Sequence, residues 1–198
     1  MFSKEKIRTT FLRLAGVSLG VLLVVVGGTL GAGLSPRGQP AGMVRAATPA
    51  PDGMCPAVRE AFENLFATPY HLYSSSGGKA DKGEVISAGG RLYVLYNGKW
   101  QPGQMTLEEM QRREQETMKN AKNVSCQAVR DETVNGESAT LYSVHEETAR
   151  SKNDCQIWIS KRSGHVLRTE IDMHLNQGNS LSHISSRYDY NNVQAPKL

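Results

Sequence analysis

The spacing of apolar residues changes along this chain, and each change predicts an element. From Pro56 to Ala67, Val58, Phe62, Leu65 and Phe66 recur at helical spacing. Pro56 suits a first helical turn, and Thr68-Pro69 stops the helix because a residue before proline is pushed toward extended backbone. Beyond it the period falls to two. Strands are expected over Tyr70 to Ser76, Lys82 to Ala88 and Arg91 to Tyr96. The third is apolar on both faces and leaves through Asn97-Gly98, a strong hairpin signal. Thr106 with Glu109 then reads as a capping box opening a helix to about Ala121. Its apolar stripe (Leu107, Met110, Met118, Ala121) is thin and broken by Glu114, so Glu108, Glu109, Glu114 and Glu116 read as a solvated surface.

The second half reads as a run of hairpins. Val124 to Asp131 turns at Asn135-Gly136 into Ser138 to Glu147; Asp154 to Lys161 turns at Ser163-Gly164 into His165 to Leu175. In that last strand Leu167, Thr169, Ile171, Met173 and Leu175 alternate with Arg168, Glu170, Asp172 and His174, giving one dry and one wet face. Leu181 to Tyr190 ends the fold. Eight strands and two short helices result, with short antiparallel connections, no βαβ repeat and no phosphate-binding loop. The economical arrangement is α+β: a strongly curved antiparallel meander with both helices on its concave side.

Charge divides the chain in two. The net charge of +4 over 198 residues hides a leader, residues 1–46, carrying +5, and a body carrying −1. A near-neutral body lacks the cations that drive non-specific nucleic-acid binding, so that class is excluded. Lys4, Lys6, Arg8 and Arg13 precede an uncharged, apolar-rich run, Leu14 to Leu34, in the pattern of a secretory signal. That run is also long enough to span a bilayer, which needs about 20 residues. Residues 1–46 are therefore expected to be a signal peptide or a membrane anchor (residues 14–34), 47–54 a linker, and 55–198 a single domain in the periplasm.

Three cysteines, Cys55, Cys126 and Cys155, allow one bridge and one leftover thiol in an exported chain. Cys126 and Cys155 fall on strands flanking a shared neighbour, about 10 Å apart. A disulfide needs Cα atoms within about 7 Å. Cys55–Cys126 is the expected pair, and Cys155 a buried thiol.

The stretch Gln156-Ile157-Trp158-Ile159-Ser160-Lys161-Arg162-Ser163-Gly164-His165-Val166-Leu167-Arg168-Thr169-Glu170 resembles the Trp-strand, Gly-turn, Leu-Arg-strand hairpin of periplasmic lipoprotein-carrier-like proteins. Tyr188-Asp189-Tyr190-Asn191-Asn192-Val193 is similar to that family's closing strand. Val166 departs from the proline common after the turn. The resemblance implies an open half-barrel with helices over a greasy hollow for acyl chains, and a non-enzymatic lipid or lipoprotein partner. A tethered protein-interaction or sensor domain is the alternative, and an exported hydrolase a minor one.

Candidate pocket residues are Trp158, Tyr93, Tyr96, Tyr142, Tyr188, Tyr190, Met110 and Met118, whose apolar bodies suit a ligand tail. Plain core is the commoner role for the aromatics and an ordinary weakly buried helix face for the methionines. The five scattered histidines show no metal-ligand spacing, and no nucleophile elbow orders a Ser/His/Asp set. No catalytic residue, metal or cofactor is expected.

Overall fold

A computed structural model describes residues 53–77, 82–149, 151–176 and 181–198. The expected leader, 1–46, and residues 47–52 of the expected linker lie outside these. Helix α1 (Pro56–Ala67) carries proline in its first turn and buries Val58, Ala61 and Leu65, one helical face at i, i+3, i+7 spacing. The strands are β1 (Tyr70–Ser76), β2 (Lys82–Ala88), β3 (Arg91–Tyr96), β4 (Lys99–Thr106), β5 (Lys122–Val134), β6 (Glu137–Glu147), β7 (Ser151–Ser160), β8 (Val166–Leu175) and β9 (Leu181–Asp189). Helix α2 (Leu107–Lys119) lies between β4 and β5. It opens on the expected capping box: the Glu109 amide donates to Thr106 Oγ1 at 3.1 Å, and the Thr106 amide to Glu109 Oε2 at 2.9 Å.

All pairings are antiparallel, in one sheet of order β4-β3-β2-β1-β9-β8-β7-β6-β5. The half-barrel is open, with β4 and β5 at its edges. Among the described residues the strand count is nine, against the eight expected. The extra strand, β4, contains Pro102 and Gly103, which spoil its pattern. The Asn97-Gly98 turn imposes its pairing with β3: both residues have positive φ, 50° and 72°, as the tight hairpin requires. Two meanders meet in the middle, where β9 returns beside β1 with Leu72 opposite Tyr188.

Opposed residues on adjacent strands share a face, so register sorts the side chains. The helix-covered face takes Tyr70 and Leu72 (β1), Val85 (β2), Leu92 (β3), Val144 (β6), Cys155, Ile157 and Ile159 (β7), Ile171 (β8), and Ile184 and Tyr188 (β9) in one cluster with α1 and Met110 of α2. A smaller cluster on the opposite face holds Ala139, Leu141, Trp158 and Leu167. Cys55 is bonded to Cys126 with Cα atoms 5.5 Å apart, as expected, which ties the start of α1 to edge strand β5. Cys155 is a buried free thiol. No described helix is long and apolar enough to cross a membrane.

Candidate functional site

The concave face is where the sheet gathers most of the candidate residues. Tyr188 is 5% exposed in the main cluster, its ring edge-on to Tyr70 at 5.7 Å. Tyr190 packs against the same cluster; its hydroxyl donates to the Val166 carbonyl at 2.8 Å, and its ring stacks on His165 at 4.4 Å. Burial pushes the phenols of Tyr70, Tyr188 and Tyr190 above their usual range. Met110 is buried here, and Met118 and Tyr142 pack against the cluster from its margin. Tyr93 and Tyr96, half-buried on β3, are part of neither cluster.

Trp158 stands apart from these. It belongs to the cluster on the opposite face, where its indole N–H donates to Glu132 Oε2 at 2.6 Å and the Arg168 guanidinium lies 4.8 Å above its ring. The concave apolar surface and Trp158 are thus separated by the thickness of the sheet.

The helix-covered face is not purely apolar. Glu146 shares the parity of Tyr142 and Val144 on β6, sits opposite Asn153 of β7, and is 0% exposed. Neither carboxylate oxygen has a hydrogen-bond partner. Its burial raises its pKa to about 7, with nearby His145 pulling the other way. Glu114 of α2, expected to be solvated, is instead half-buried. Desolvation, then the nearby Glu146 charge, raises it to about 8. Glu114 also lies close enough to Tyr188 to raise that phenol further. Ser186 of β9, opposite Ser74 and Thr169, is 2% exposed, and its hydroxyl has no partner. Glu146 and Ser186 are thus two unpaired polar groups on the helix-covered face, in different rows: that of Glu146 runs through Asn153 and Met173 to Ser182. Strict alternation along β6 was the signal for Glu146: Tyr142, Val144 and Glu146 must share a side.

A separate cleft of about 290 Å³ opens where the β5–β6 and β7–β8 turns approach the end of β9. Val134, Arg162, His165, Leu167, Arg187 and Tyr190 are among its lining residues, as is Tyr188. Among the described residues, no group of three or more His, Cys, Asp or Glu is placed to hold a metal ion.

No protein-family model and no curated protein matches the sequence. Solved structures do. The Mycobacterium tuberculosis lipoprotein LppX is similar over 70% of this chain and 95% of its own, at 15% identity and a TM-score of 0.44. LprF from Mycobacterium bovis is similar over 71% and 94%, at 7% identity and 0.42. MucB, in complex with MucA, is similar over 71% and 56%, at 12% identity and 0.40. A lipoprotein-sorting protein domain from Vibrio parahaemolyticus is similar over 62% of this chain and 82% of its own, at 8% identity and 0.20.

Proposed function

We propose that this chain is an exported, non-enzymatic periplasmic binding protein that holds a lipid, or the acyl chain of a modified partner, against the concave face of its sheet. One observation carries the reading. The main apolar cluster draws on seven strands, yet among the described residues only two helices, of 12 and 13 residues, lie against it. Val94, Leu107, Met118, Tyr142 and Met173 are left half-buried around it. A ligand tail would complete their burial, at about 0.8 kcal/mol for each methylene removed from water. Met118 and Met173 suit such a surface because an unbranched thioether adapts to varied shapes.

Export is supported by the basic-then-apolar leader and by the Cys55–Cys126 bridge, a bond that persists in oxidising compartments. Native mass spectrometry of the full chain, recovered from the cell envelope, tests the reading. A mass increment that dissociates as an acylated molecule is expected. A ligand-free mass, together with no measurable binding of a twelve-carbon amphiphile, would overturn it.

A further inference from the structure

A fully buried carboxyl group without a hydrogen-bond partner is costly, because it forfeits water and gains nothing in return. Glu146 is in that position, with both oxygens unpaired at 0% exposure. Glu114 of α2, half-buried, is close enough to feel its charge. Two carboxyls, one on a helix and one on a strand, thus meet at the margin of one apolar interior.

When ionised, a carboxylate only accepts hydrogen bonds, and no donor faces either oxygen of Glu146. The geometry points to a binding site for the head group of an amphiphile that donates hydrogen bonds and carries no negative charge (a polyol or an ammonium group), with its tail on the apolar cluster. The inference rests on the reading above and adds the class of ligand. A fatty carboxylate would bring two more acceptors and a like charge to Glu146 in a low-dielectric setting, where repulsion is strong. Access fits the weak seating of α2, which buries Met110 alone among its 13 residues; lifting that helix exposes Glu114 and Glu146 together.

The test uses three twelve-carbon amphiphiles of matched tail, monolaurin, dodecylamine and laurate, titrated into the full chain at pH 8 by calorimetry below their micellar concentrations. Monolaurin and dodecylamine are expected to bind at least tenfold more tightly than laurate. Glu146→Leu should reduce that preference to less than threefold while retaining laurate binding. Glu146→Gln, which keeps the shape and an acceptor but removes the charge, is the second variant should the leucine chain fail to fold; it should weaken dodecylamine at least threefold and monolaurin less. Equal binding of all three by the unaltered chain, or a preference unchanged in the Glu146 variants, overturns the head-group site and leaves the acyl-binding reading standing. Absence of binding by all three overturns both.

Discussion

Arg168 and Arg187 face each other directly across β8 and β9, on the side of the sheet away from the helices. Two like charges so placed repel. Each guanidinium is instead drawn over a ring on its outer flank: Arg168 lies 4.8 Å from the Trp158 ring and Arg187 4.4 Å from that of Tyr73. Arg168 is also ion-paired with Glu170. A double-mutant cycle between Tyr73 and Arg187 should give a favourable coupling of about 0.5–1 kcal/mol. The Arg168–Arg187 cycle should give an unfavourable one that shrinks as salt is added. A favourable sign in the second cycle would mean that the arginines do not repel.

Trp158→Ala should destabilise the fold by about 3–5 kcal/mol, the usual cost of emptying a large aromatic site. It also leaves Glu132 without its indole donor. Because Trp158 lies on the other side of the sheet from the proposed acyl surface, the folded variant should bind monolaurin as the unaltered chain does. Denaturant titration and calorimetry read the two quantities separately. A weakened ligand affinity with unchanged stability would make Trp158 a pocket wall.

Replacing Cys55 and Cys126 together by serine opens a loop with a sequence separation of 71. Loop-closure entropy puts the loss at about 4 kcal/mol. Cys155 should resist thiol reagents in the folded chain, because burial pushes its thiol well above the ordinary range and only the thiolate is reactive. It should react stoichiometrically once the chain is unfolded in urea. Rapid labelling under native conditions would contradict its placement beneath the helices.

Stability should fall as pH rises through neutrality. Unfolded, Glu114 and Glu146 titrate near 4.5; folded, they titrate near 8 and near 7. Between those limits the folded chain holds protons that the unfolded chain has released. The contribution of this pair to stability is therefore greatest below about pH 5, declines to about pH 8 and is level beyond it, at up to about 1.4 kcal/mol per pH unit for each proton held. His145, Tyr188 and Cys155 are the other titratable groups near the pair. Glu146→Leu should flatten the decline by half or more and stabilise the chain at pH 8 by roughly 1–4 kcal/mol, as apolar replacement of a buried charge often does. Urea unfolding at pH 5, 6, 7 and 8 measures it. An unaltered slope in Glu146→Leu would remove Glu146 as a contributor.

Local periodicity made most of the architecture legible. Val58, Leu65 and the capping box at Thr106 located both helices, and the Asn-Gly turns at Asn97 and Asn135 marked two of the hairpins. What escaped depends on partners distant in the chain. Strand β4 has no alternation of its own and is held by β3. The junction of β9 with β1 joins segments more than a hundred residues apart, and no local pattern encodes it. Glu114 looked solvated because acidic residues surround it on α2, but it lies four residues from both Met110 and Met118, on the face of the helix that meets the cluster. Among the site candidates, alternation on β7 separated Trp158 from Ile157 and Ile159 correctly, while which side the helices would cover came only with the assembled sheet.

The pairing of Leu72 with Tyr188 also orders events in time. Strand β1 sits in the middle of the finished sheet beside β9, the last described strand to be synthesised, so its second neighbour does not exist until residues 181–189 have been made. Contacts of such long range make a protein slow to fold. A chain exported as we propose gains from that delay: it reaches the translocation machinery while still threadable, and its two halves can lock together only on the far side.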